Sequence, residues 1–283
     1  MRKLSAIVFG VAALAAFAVA VFILSGRGSG ETGASERVEG AGVNAAPAPP
    51  RRPVIVELFT SEGCSSCPPA DALLSRLDET QPVAGAEIIP LAMHVDYWNH
   101  LGWTDPFSSR EFSVRQGEYA AAFGKPDVYT PQMIVDGVKE FNGGNSSLAH
   151  EAVSRAAREP KAEVLLKRGP AQADETVGIS VQIDKFPRQT VGDPVYVLLA
   201  VTESGLSTDV ARGENSGRRL GHVGVVRTLR QLGILPEAHG PFKAETGVLV
   251  GKGWRRDNLR AVVFAQERGT RRVLAAASLK LFE

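Results

Sequence analysis

One short stretch of this 283-residue chain limits its folding options more than any other, the run from Pro53 to Leu77. It opens with P-V-I-V-E-L-F-T (Pro53–Thr60), a β-branched and aromatic run that reads as a buried strand. Ser61 to Cys67 follows as a turn. Pro68 and Pro69 suit the first turn of a helix, where a missing N–H costs little. Ala70, Leu73, Leu74 and Leu77 then fall on one helical face. The chain's two cysteines, Cys64 and Cys67, sit at this strand-to-helix junction.

A helix start presents free N–H groups and the positive end of the dipole. A thiolate placed there is stabilised, so the cysteine pKa falls. Cys64 is therefore expected to be the exposed nucleophile. Cys67, one turn in, is expected to be more buried and to resolve a mixed disulfide. A bridge closing so short a loop constrains the unfolded chain little, so reactivity explains the pair better than stapling does. Structural zinc needs two further ligands, and there is no third cysteine.

Further along, Glu87–Val95 reads as a second strand and Pro106–Phe123 as a helix. Val128–Val135 reads as a third strand, with a turn at Asp136-Gly137 and a returning strand over Lys139–Phe141. Ser146–Arg158 reads as a last helix. After Pro160 the pattern changes to strands alone: Ala162–Lys167, Thr176–Ile183, Pro194–Thr202, His222–Leu229, Phe242–Val250, Arg260–Gln266 and Arg272–Leu281. Turns rich in Gly, Pro and Asp separate them, as in an antiparallel sandwich or partly open barrel.

The amino terminus reads as a targeting segment. Arg2 and Lys3 precede an uncharged run of 21 residues, Leu4–Leu24. Ala18-Val19-Ala20 offers the exit of a cleaved signal, whereas the length of the run suits a spanning helix. Either way residues beyond it cross the membrane, which gives a periplasmic or extracytoplasmic protein, secreted or anchored by this segment. An exported disulfide can persist. Residues 25–53, rich in Gly, Ser, Ala, Glu and Pro, read as a flexible linker. Thirty-two basic and thirty-one acidic side chains leave a formal charge of +1, with no sign of a nucleic-acid partner.

Strand, CxxC, helix, then Thr130-Pro131, strand and Asp-Gly turn make the chain resemble the thioredoxin superfamily. That resemblance implies an α/β fold: a thioredoxin-like domain over residues 54–160, followed by an antiparallel all-β, sandwich-like part over 161–283. It implies a cis-proline role for Thr130 and Pro131, which would bind extended substrate backbone. An ordinary trans proline at a strand edge is the alternative. It also makes Glu57 a candidate proton acceptor for the buried cysteine, although Glu57 lies one residue further from the CxxC than that acid does, and a one-residue shift flips the face. The plainer alternative is an edge glutamate pointing to water.

The longer motifs, Val56–Asp71, His94–Phe107, Val128–Gln132 and Gly213–Arg227, are similar to those of a bacterial secreted family of unknown function with a thioredoxin-like domain and an all-β part. That family fixes no activity. Its Ser65-Ser66 centre differs from the usual thioredoxin dipeptide, so redox poise is not inherited.

Three further groups stand out. His94–Phe107 concentrates His94, Tyr97, Trp98, His100, Trp103 and Asp105. Tyr97, Trp98 and Trp103 either line a substrate groove or pack as core, and Asp105 reads as the cap of the helix begun at Pro106. His94 or His100 could complete a Cu(I) site with Cys64 and Cys67, since soft thiolates suit that ion. Gly213–Arg227 gathers Glu214, Asn215, Arg218, Arg219, His222 and Arg227: either an interdomain or anion-binding loop, or a charged turn in which Arg218 or His222 satisfies buried carbonyls.

The functional expectation is thus an extracytoplasmic thiol–disulfide oxidoreductase. It acts on protein thiols or disulfides, or on a redox partner protein, and needs no cofactor beyond its own disulfide. The alternative is a copper-delivery or protein-binding module without thiol turnover.

Overall fold

The computed structural model describes residues 50–172, 175–235 and 240–282. The targeting segment and most of the linker lie outside the described residues. Among those described, no helix is long and apolar enough to cross a membrane.

The chain begins with β1 (Arg52–Thr60), α1 (Pro68–Thr80), β2 (Ala86–His94), α2 (Arg110–Ala122), β3 (Gln132–Val135), β4 (Lys139–Asn142) and α3 (Ser146–Ala156). Strands then dominate: β5 (Glu163–Ala171), β6 (Thr176–Asp184), β7 (Val195–Glu203), β8 (Leu206–Asp209), β9 (Arg219–His222), β10 (Val225–Ile234), β11 (Phe242–Leu249), β12 (Leu259–Glu267) and β13 (Val273–Lys280). β1 is buried along nearly its whole length because both its faces are covered, hence its unbroken apolar run.

The expected fold class is corrected here. The chain is mainly β, with few helices, and is not a thioredoxin-like α/β domain followed by a separate β part. Eight strands form one mixed sheet in the order β13-β12-β7-β10-β2-β1-β3-β4. β1 and β2 run parallel, Arg52 beside Ala86 through Thr60 beside His94, and β3 lies antiparallel on the other side of β1. β10, from the second half of the sequence, pairs parallel with β2 at Val225 and Ala92, and Ala92 N–H donates to Gly224 O at 2.8 Å. The two halves therefore share a sheet.

Three apolar layers follow from the alternation of side chains along these strands. Val54, Val56 and Leu58 of β1 face α1 and α3, where Leu73, Leu74, Leu77 and Val153 pack on them. Ile55 and Phe59 face the opposite way, toward Phe112 and Tyr119 of α2 and toward Val262 and Phe264 of β12, so this layer runs across both halves of the sequence. The third layer lies between the main sheet and the three-stranded sheet β11-β6-β5. Val177, Ile179, Val181 and Ile183 alternate inward on β6 against Val197, Leu199 and Val201. Burying each such side chain contributes about 1.5–3 kcal/mol.

Local expectations fare unevenly. The helix expected from Pro106 starts at Arg110, because Ser109 caps it by accepting from Glu111 N–H. The single strand expected over His222–Leu229 is two strands, β9 and β10, with Gly224 between them at φ +59 against Pro90 O. The β8-β9 hairpin had no expectation at its first strand.

Candidate functional site

Cys64 and Cys67 form a disulfide with Cα atoms 5.5 Å apart, at the junction of β1 and α1. The turn is set by local bonds: Cys64 N–H donates to Ser61 O, and Cys67 N–H donates to Cys64 O. Cys67 is the N-cap residue of α1, and its carbonyl accepts from Ala70 and Asp71 N–H. The expectation of an exposed Cys64 is corrected: both cysteines have zero exposure, while Ser65 and Ser66 between them are exposed.

The Thr130–Pro131 peptide bond is cis. Pro131 is buried, its carbonyl accepts from Gly143 N–H, and Gly143 sits where an added Cβ would lie 3.1 Å from Ala70 Cβ and 3.3 Å from Pro131 Cβ. The proline loop thus packs beside the first turn of α1. Trp98 ties the same elements together. Its indole N–H donates to Thr130 Oγ1 at 2.8 Å, and its Cβ would lie 3.1 Å from a Cβ added at Gly63. Tyr97 is anchored on α2, donating to Gln116 Oε1, and burial pushes its phenol up to about 12. Both tryptophans are half-buried with their N–H groups fixed, so they form a wall of the site rather than a free groove.

Beneath this wall lies a set of buried polar groups, in which His94, Asp105 and His222 join Glu62 and Asp71, two residues that the sequence did not single out. Glu62 Oε2 accepts from Trp103 Nε1, and Glu62 Oε1 lies 3.0 Å from His222 Nε2. Asp105 does not cap a helix at Pro106. It accepts from Glu62 N–H, from His94 Nδ1 at 2.7 Å and from Phe107 N–H. Burial pushes the Asp105 carboxyl up, but the His94 ring and these hydrogen bonds outweigh it and hold the group below the usual carboxylate range. The His94 and His222 rings meet edge to face, 4.8 Å apart. His94 Nε2 and His222 Nδ1 are buried without a hydrogen-bond partner.

Asp71 completes the group. It follows Cys67 by four residues, one turn into α1, on the buried side of the helix. Thr60 Oγ1 donates to it at 3.1 Å. Burial pushes Asp71 up to about 7, partly opposed by His222 and Thr60 and reinforced by Asp105 and Glu62. Asp71 and His222 both line an open cleft of about 550 Å³ between α1 and the β8-β9 hairpin. Only its position one helical turn after Cys67 could have flagged Asp71 from the sequence.

Glu57 is not brought to the cysteines. It lies on the β1 face opposite α1, where Arg115 grips its carboxylate with bonds of 2.7 and 3.0 Å and Tyr119 donates to it. Nor is it an edge residue facing water, since it is fully buried. The copper set of Cys64, Cys67 and His94 is likewise not assembled. Among the described residues no group of three His, Cys, Asp or Glu side chains is arranged to hold a metal ion, and His100 is exposed, bonded to Tyr97 O.

The Gly213–Arg227 segment does reach the site. Asn215, fully buried, donates from Nδ2 to Glu62 O at 2.8 Å and to Cys64 O at 3.0 Å. Arg218 donates to Asn215 Oδ1, and Glu214 accepts from Ser65 N–H at 3.0 Å. The buried carbonyls are thus satisfied by Asn215 rather than by Arg218 or His222.

These features define a class: mainly β proteins in which a CxxC disulfide sits between a central strand and a proline-led helix, covered by a loop from the second half of the same sheet. The chain belongs to the DUF1223 family, described as a protein of unknown function, whose pattern it matches over residues 55–266. Among solved structures it is similar to protein AGR_C_4864 from Agrobacterium tumefaciens, with 24% identity, a TM-score of 0.64, and 83% of this chain and 97% of that one covered. It is also similar to HBP35 of Porphyromonas gingivalis, with 15% identity, a TM-score of 0.61, and 83% and 76% covered. At these identities the likeness concerns the fold alone. No curated protein matches the chain.

Proposed function

We propose that this chain is an extracytoplasmic protein that exchanges its Cys64–Cys67 disulfide with the thiols of a partner protein. Residues 1–24 deliver it across the membrane. The observation that carries the reading is convergence. A three-residue-spaced disulfide, the Pro131 loop packed beside the same helix turn, and a buried carboxyl raised to about 7 meet at one strand end.

The chemistry balances without a cofactor. A partner thiolate attacks Cys64 Sγ, and the S–S electron pair leaves on Cys67 Sγ, which takes up a proton. A second partner thiol loses its proton and attacks the partner sulfur of the mixed disulfide, expelling Cys64 as a thiolate at the start of α1. The partner dithiol is oxidised to a disulfide and this protein is left with two thiols. The reverse direction runs when the partner is the oxidant. Thr130, Trp98, Trp103 and Tyr97 shape the surface beside the sulfurs. Because neither cysteine is exposed, attack needs the cover over Cys64 to move.

That same zero exposure favours a second reading, a structural clip without turnover. The reduction potential separates the two. An exchanging pair sits above about −300 mV, where structural disulfides fall below it. A Cys67→Ser variant should also accumulate a mixed disulfide with a cysteine-containing protein. Absence of that adduct together with a low potential rejects exchange.

A further inference from the structure

We infer that the segment Gly213–Arg218 occupies the place of the partner's own polypeptide, and that an extended, cysteine-bearing segment must displace it to reach Cys64. This inference rests on the exchange reading above and names the kind of partner that site takes.

The contacts made by the segment are those a peptide would make. Asn215 gives both its Nδ2 hydrogens to main-chain carbonyls flanking the disulfide, Glu62 O and Cys64 O. Glu214 takes the main-chain N–H of Ser65. Lifting the segment frees two acceptors and one donor on the backbone of the cysteine turn. A partner backbone in extended form offers donors and acceptors in alternation and can replace all three.

The segment is built to move as a unit. It is the tip of the β8-β9 hairpin, closed at its base by Val210 N–H to Arg218 O and Gly217 N–H to Val210 O. Gly213 at φ +79 and Gly217 at φ +79 bracket it. Apart from Asn215, residues 211–219 are exposed. Arg218 holds Asn215 in its working orientation by donating to Oδ1, so one side chain latches the cover. Beside the hairpin, the α1 cleft that reaches Asp71 and His222 is already open. Arg218, which holds Asn215, is one of the residues that line this cleft.

The test compares three purified full-length chains, wild type, Asn215→Ala and Glu214→Ala. Their disulfides are reduced by dithiothreitol and by a synthetic unstructured peptide with one cysteine, with thiol release followed over time. Removing the latch should raise both second-order rates tenfold or more while leaving the reduction potential unchanged. Glu214→Ala guards against a folding defect in Asn215→Ala, since Glu214 is exposed and bonds to Ser65, itself exposed. Rates within twofold of wild type in both variants, with a potential in the exchanging range, overturn the displacement inference and leave the exchange reading standing. A potential in the structural range for all three chains overturns both.

Discussion

Glu62 Oε1 and His222 Nε2 lie 3.0 Å apart although 160 residues separate them in the sequence. The bond fastens the second half of the chain to the residue just before the cysteine turn. Glu62 also holds Trp103, so one carboxylate fixes two elements that wall the site. Glu62→Ala takes this partner from the buried His222 ring and from the half-buried Trp103 N–H. The expected loss is about 1–3 kcal/mol for each stranded group, read as a shift in the urea midpoint.

Asp71 makes stability depend on pH in a defined direction. Its carboxyl is raised from 3.8 to about 7 in the folded chain, so the folded state holds a proton that the unfolded state releases. This contribution is complete below 3.8 and is lost as pH rises through about 7. Asp71→Asn should flatten the stability profile across that window and make the variant the more stable form above it. Denaturant titrations at a series of pH values measure this, and a wild-type profile with no fall toward neutral pH contradicts the assignment.

The Glu57–Arg115 pair is a structural element on the far face of β1. Arg115→Met removes the cation and strands a buried carboxylate, which should cost about 3–5 kcal/mol by chemical denaturation. Glu57→Gln, in contrast, should leave the pH dependence of the disulfide potential unchanged. A changed dependence would restore Glu57 as a proton partner of the cysteines.

Gly143 is where the proline loop and α1 come closest. A Cβ there would lie 2.7 Å from Leu58 Cδ1, and both Ala70 and Pro131 crowd it. Gly143→Ala should therefore destabilise the chain by about 1–3 kcal/mol and alter the exchange rate, because the loop and the helix turn must separate. Thermal unfolding and thiol-release kinetics check the two effects.

What could be read from the sequence was local. Pro53–Thr60 as a buried strand, the proline-led start of α1 and the turn at Asp136-Gly137 depend on nearby residues, and the structure has each of them. What could not be read depends on partners distant in the chain. Val225 beside Ala92 makes one sheet out of two apparent halves, and no periodicity in either strand encodes that neighbour. The same holds for the site. Cysteine spacing marked Cys64 and Cys67, yet the side chain that holds the Cys64 carbonyl, Asn215, lies some 150 residues on. The role of Glu57 failed on a face: β1 alternates, and odd-numbered positions from Ile55 to Phe59 look away from α1.

The pairing of β10 with β2 also bears on how the chain reaches its native state. During synthesis, β2 keeps a bare edge until residue 225 has emerged, more than a hundred residues later. Contacts so remote are slow to form, and an unpaired edge in a hydrophobic strand invites other chains. A chaperone that shields hydrophobic strands has most to do in that interval, before the last fifth of the polypeptide arrives to close the gap.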